Sequence, residues 1–233
     1  MERHLVAMGG FGGWTDPVLG FVLDLAGVPR PRVCVVPTAS GDPVGGIEAF
    51  RDAFAPPSFR PSVLELFDRE VADPAAFLAE QDVVLVPGGN TANLVAIWRR
   101  HGVDRAMRSA WEAGVVLAGW SAGGACWFEA CTTDSWGRGR ADPLEDLLAF
   151  VPGSFCPHYD VEPERRPRYR ELVAAGSLPD GIACDDAAAV HIVGEELHEA
   201  VAWSEGARAW SVRRSADGVV ETPIPTRSLL AER

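Results

Sequence analysis

Lysine is absent from the 233 residues, so every one of the 21 basic side chains is an arginine. Without lysine the chain can form no side-chain Schiff base and cannot run a Ser-Lys mechanism. Basic runs are missing as well, and acidic residues bring the net charge to −12. That balance argues against nucleic acid or a membrane surface as partner. No C-x-x-C pair occurs among Cys34, Cys126, Cys131, Cys156 and Cys184. An odd set of cysteines in apolar surroundings reads as buried free thiols and lends no support to a zinc site. Neither a metal nor a cofactor is expected. No apolar run reaches the roughly 18 residues of a membrane span. Met1-Glu2-Arg3-His4 leads straight into a strand-like segment, without a signal peptide's charged start and apolar core. A soluble, cytoplasmic protein is the expectation.

What the sequence does contain is a set of short valine- and leucine-rich runs at 5–8, 33–36, 83–86 and 115–118, with a further candidate at 63–66. Each ends in a turn signal, as strands covered on both faces by helices do. Helix-compatible segments lie between them at 18–26, 47–55, 74–80, 92–100 and 105–113. This alternation predicts an α/β fold with a doubly wound, mostly parallel sheet. After a helix at 165–174, short runs at 181–183, 187–193, 197–203, 209–212 and 219–222 read as antiparallel strands extending or flanking that sheet. No linker-like segment or repeat interrupts the chain, so residues 1–233 are expected to form one domain.

Ligand sites in such sheets lie beyond the carboxyl ends of the strands. One of those ends carries Gly119-Trp120-Ser121-Ala122-Gly123, with a helix-compatible stretch after it. A serine on a sharp strand-to-helix turn exposes its Oγ and aims the following N–H groups where an oxyanion would form. A serine also needs a base, itself oriented by a third group. Among the histidines, His158 in Cys156-Pro157-His158-Tyr159-Asp160 is best placed. His4 precedes the first strand, His101 lies near a surface turn, and His191 and His198 fall in the C-terminal strands. For the carboxylate, Asp134 is favoured in the loop beyond the helix expected after Ser121, with Glu129 and Asp160 as rivals. Only 37 positions separate Ser121 from His158, too few for the further sheet units of an α/β-hydrolase.

Pro87-Gly88-Gly89-Asn90-Thr91, Gly119-Trp120-Ser121-Ala122-Gly123, Thr132-Thr133-Asp134 and Pro157-His158, in this order, resemble peptidase family S51. Ala125-Cys126-Trp127-Phe128 and Cys184-Asp185-Asp186 point to its peptidase E-like, α-aspartyl dipeptidase branch. The resemblance spans the first strand to about Val193. It implies a flavodoxin-like fold, close to that of class I glutamine amidotransferases, and a cytoplasmic serine peptidase that removes an amino-terminal aspartate from short peptides. It implies Ser121 as nucleophile, His158 as base and Asp134 as acid, although the position and type of the acid vary across the family. Gly89 and Ala122 would supply the oxyanion N–H groups. Arg165 would bind the substrate carboxylate, with Arg166, Arg168 and Arg170 as neighbours able to do so, and Asn90 would contact the substrate. The bland reading of these arginines is a solvated helix face paired with Glu162, Glu164 and Glu171.

Two other readings stand beside this one. A cyanophycinase-like enzyme would cleave β-aspartyl-arginine but usually has a longer chain. A non-catalytic or glutaminase-like relative would usually carry cysteine at the elbow. A homodimer is compatible with exposed aromatics, for which Trp98 and Trp136 are candidates.

Overall fold

A computed structural model of the chain describes residues 2–137 and 139–230. Its first half is β1 (His4–Met8), α1 (Pro17–Leu25), β2 (Arg32–Val35), α2 (Val44–Ala53), β3 (Arg60–Val63), α3 (Pro74–Ala79), β4 (Val83–Val86), α4 (Thr91–His101), α5 (Val103–Glu112) and β5 (Val116–Trp120). Strands β1, β5, β4, β2 and β3 lie side by side in that order, all parallel. Successive strand residues point to opposite faces. Val6, Met8, Val83 and Leu85 pack with Val18 and Val22 of α1 and Phe50 of α2. Leu5, Ala7, Val84 and Val86 pack on the other face with Leu78, Trp98, Met107 and Trp111 of α3, α4 and α5. Both faces are covered, which is why these strands are apolar throughout rather than alternating.

The second half is α6 (Ala122–Ala125), β6 (Ala130–Thr133), β7 (Asp142–Leu144), β8 (Ser154–Cys156), α7 (Arg165–Ala175), β9 (Gly181–Cys184), β10 (Ala188–Val193), β11 (Glu196–Ala202), β12 (Ala209–Ser215), β13 (Gly218–Ile224) and β14 (Thr226–Ser228). Strands β10, β11 and β14 extend the main sheet beyond β1, to the order β14-β11-β10-β1-β5-β4-β2-β3. The remaining strands form a second sheet, β13-β12-β9-β8-β6-β7, with α7 against β12 and β13. The residues between β9 and β10 therefore cross from one sheet to the other.

Several expectations change. The segment after Ser121 is a single helical turn, because Gly123 and Gly124 are held against neighbouring backbone and the chain then enters β6. The expected strand at 63–66 lies at Arg60–Val63, in register with β2; Leu64 and Leu66 follow it into the core. Trp98 is not a surface aromatic. It is fully buried, and its Nε1 donates to Thr38 Oγ1 at 3.1 Å. Trp136 is 57% exposed. Among the described residues no helix is long and apolar enough to cross a membrane.

Candidate active site

Strand β5 delivers Ser121 at its carboxyl end with φ 53° and ψ −119°. A non-glycine residue held there costs about 1–3 kcal/mol, so the surroundings must over-determine it. They do so through close backbone packing on both sides. A Cβ at Gly123 would come within 1.9 Å of Val86 O, and one at Gly119 within 2.3 Å of Gly123 O. Ser121 N–H donates to Met8 O at 3.2 Å, while Ser121 O accepts from Gly124 N–H and Ala125 N–H at 3.0 and 2.8 Å. As first residue of α6, Ala122 has an N–H with no intrahelical acceptor.

The Pro87-Gly88-Gly89 turn closes over the serine. A Cβ on Gly88 would lie 3.0 Å from Ser121 Cβ, so glycine there brings backbone against the nucleophile candidate. Gly89 has φ 146°, and a Cβ would meet Ala39 O at 2.2 Å. Only glycine fits.

His158 shares the positive-φ conformation, at 54°, and so does Ala187, at 57°. Between them lies the carboxylate that meets His158. His158 Nδ1 and Asp186 Oδ1 are 2.6 Å apart. Two further bonds tie the same loops together: Tyr159 N–H donates to Cys184 O at 3.1 Å, and Asp186 N–H to Asp160 Oδ1 at 2.7 Å. Asp186 also packs on the backbone after β1. A Cβ on Gly10 would fall 2.2 Å from Asp186 Oδ1, so Gly10 makes room for the carboxylate. The Met8–Gly10 segment thus touches both Ser121 and Asp186.

The acid favoured from sequence therefore does not meet His158. Asp134 lies past the end of β6 and faces Arg165, with Oδ1 3.7 Å from Nη2. Its rivals are also occupied: Glu129 accepts from Gly153 N–H at 2.8 Å, and Asp160 holds the Asp186 backbone. The sequence reading did not weigh Asp186; the signal that could have found it is the pair Asp185-Asp186 at the end of a strand. Asp185 turns the other way, accepting from Trp210 Nε1 and Arg208 N–H at 3.1 and 3.0 Å, and burial raises its carboxyl above the usual range.

Arg165 is buried, 3% exposed. Its Nε donates to Glu162 Oε2 at 2.5 Å and its Nη1 to Thr132 O at 3.1 Å. With Asp134 and Glu162 it lines a cavity of about 310 Å³. Arg166 pairs instead with Glu221, Arg168 with Glu171 at 2.8 Å, and Arg170 approaches Glu221 at 3.5 Å. Asn90 caps α4: its Oδ1 accepts from Asn93 N–H at 2.9 Å, and its Nδ2 donates to Ser135 O at 2.9 Å.

All five cysteines are free and buried. Burial pushes the Cys34 thiol up to about 12 and raises those of Cys126, Cys131, Cys156 and Cys184 as well. A protonated thiol is a poor nucleophile, so even Cys156, two residues before His158, does not compete with Ser121.

The peptidase family S51 model matches residues 5–200. The chain is 41% identical to the uncharacterized peptidase YgaJ of Bacillus subtilis (strain 168), over 97% of this chain and 99% of that one. It is 35% identical to peptidase E of Citrobacter koseri over 127 residues, which span 48% of this chain and about half, 54%, of that protein. Two crystal structures share the fold. One, of a peptidase from an acI-B1 actinobacterium, has a TM-score of 0.70 at 18% identity, covering 97% of this chain and 95% of that one. The other, named for peptidase E and from Listeria monocytogenes EGD-e, has a TM-score of 0.65 at 21% identity, covering 88% and 100%. With its family model spanning β1 to β11 and a full-length relative at this identity, the chain belongs to peptidase family S51.

Proposed function

We propose that the protein is a serine exopeptidase that removes an amino-terminal aspartate from dipeptides and short peptides through an acyl-enzyme on Ser121. The observation that carries this reading is the Ser121 backbone, strained into the geometry that exposes Oγ at a strand-to-helix turn. Ser121 Oγ attacks the peptide carbonyl while His158 Nε2 takes its proton. Asp186 holds Nδ1–H and stabilises the imidazolium that forms. Gly89 N–H and Ala122 N–H receive the oxyanion. His158 then gives the proton to the leaving amine, and water attacks the ester with His158 again as base. The aspartate preference rests on Arg165, whose Nη2 contacts Asp134 beyond hydrogen-bond length and which borders the 310 Å³ cavity. A substrate carboxylate would bind that edge of the guanidinium.

A dipeptide panel varied at the first residue tests both parts. Asp-Leu should be cleaved and Leu-Leu spared, with Ser121→Ala folded but inactive. Glu162→Gln, which removes a charge competing for Arg165, should lower KM for Asp-Leu. Cleavage of β-Asp-Arg with Asp-Leu untouched would replace this reading by the cyanophycinase-like one. An unchanged KM in Glu162→Gln would leave Arg165 a purely structural residue.

A further inference from the structure

At the edge of the main sheet, β10 and β11 pair antiparallel with His191 opposite Glu199, and the register then shifts so that Ile192 faces Leu197. His198 is the extra residue of this bulge. In a regular strand His198 and Glu199 would point to opposite faces, but a bulge re-aims a side chain. Here one ligand atom from each of His191, His198 and Glu199 lies within 4.8 Å of the other two, and the two imidazole rings are 5.2 Å apart. His191 is 3% exposed, yet its Nδ1 is buried without a hydrogen-bond partner. That nitrogen faces Glu199 Oε1 at 3.8 Å. In the tautomer whose lone pair lies on Nδ1, that nitrogen and the carboxylate oxygen repel, and a cation between them would relieve the repulsion.

We infer that His191 Nδ1, His198 and Glu199 bind one divalent transition-metal ion of the zinc class. Two imidazoles and a carboxylate are a donor set suited to zinc, and water would complete a tetrahedron. Bonds of about 2.0–2.1 Å place tetrahedral donors about 3.4 Å apart. His191 and Glu199 are already near that spacing, and the exposed His198 closes the remainder by rotating about its own χ angles. The surroundings orient the buried ligand. His191 Nε2 lies 3.0 Å from His4 Nδ1 on β1, and His4 Nε2 lies 3.8 Å from Glu2. In the tautomer in which His191 Nε2–H donates to His4, Nδ1 carries the lone pair that a metal needs, and the second ring nitrogen is held by a hydrogen bond as in other ligating histidines. Arg227 donates to both oxygens of Glu199, at 2.8 and 3.1 Å. This fixes the carboxylate and also weakens attraction for a cation, so affinity belongs in the micromolar range. The ion would tie β10 to β11 and, through His4, to β1, at the opposite end of β1 from Ser121.

The test titrates chelator-treated protein with zinc chloride against a chromophoric competitor. Wild type should take up one equivalent and melt at a higher temperature with zinc. His198→Ala, an exposed position, should keep the metal-free melting temperature and lose affinity by about tenfold or more; Glu199→Gln, which also gives up the Arg227 ion pair, should lose affinity likewise. Cobalt(II) should give visible d–d bands without thiolate charge transfer. Absence of micromolar binding, equal binding by His198→Ala, or a thiolate spectrum would each overturn the site.

Discussion

Asp186 and Asp134 are both half-exposed carboxylates, and their partners separate them: one meets an imidazole at 2.6 Å, the other a guanidinium at 3.7 Å. Replacing the first should remove the group that fixes the tautomer of His158. Asp186→Asn is expected to lower kcat by about 10⁴ with little change in melting temperature, and Asp134→Asn to leave kcat within a few fold. Steady-state kinetics on both variants decide the assignment, and the reverse ranking would restore Asp134. The candidate serine was legible in the sequence because Gly119 and Gly123, two positions to either side, must be small. The candidate base was legible because one histidine follows a proline beside a short apolar run. The carboxylate that meets His158 was not, since choosing among Glu129, Asp134 and Asp160, or finding Asp186 outside that set, depends on which loop the second sheet brings to β1. Every one of these carboxylates accepts a hydrogen bond or an ion pair, so residue type alone could not rank them.

At the scale of elements, the parallel strands announced themselves because burial on both faces makes them continuously apolar. The second sheet was legible only in its later half, where β9, β12 and β13 fall on expected runs. Its strands β6, β7 and β8 have three or four residues each, too few to show a period. Two glycines test how the elements position the site. Gly10→Ala puts a methyl group 2.2 Å from Asp186 Oδ1, and displacing that carboxylate by an ångström is expected to cost about 10² in kcat/KM. Gly20→Ala is the contrast: nothing lies within 4 Å of a Cβ there, in the interior of α1. It should stabilise the fold by about 1 kcal/mol through helix propensity and leave activity unchanged. Thermal melts and kinetics on the pair distinguish a positional glycine from a replaceable one.

For the molecule as a whole, the net charge of −12 opposes the approach of an acidic peptide, while Arg165 acts only at contact. Screening extends over about 30 Å at 0.01 M salt and about 10 Å at 0.1 M. Across that range kcat/KM for Asp-Leu should therefore rise, as the distant repulsion is removed before the buried contact weakens. Stopped-time assays at increasing sodium chloride would show it, and a steady fall would mean that local positive potential governs encounter.

The crossing between β9 and β10 has a consequence for the order in which the molecule becomes competent. Ser121 and His158 have been synthesised once little more than two thirds of the chain exists, but Asp186 comes with the strand that leaves the second sheet and the strand that joins the first. A ribosome-bound chain ending before that crossing holds the proposed nucleophile and base without the carboxylate proposed to align them. Competence then comes late in synthesis, when the two sheets are sewn together by the same few residues that carry the carboxylate.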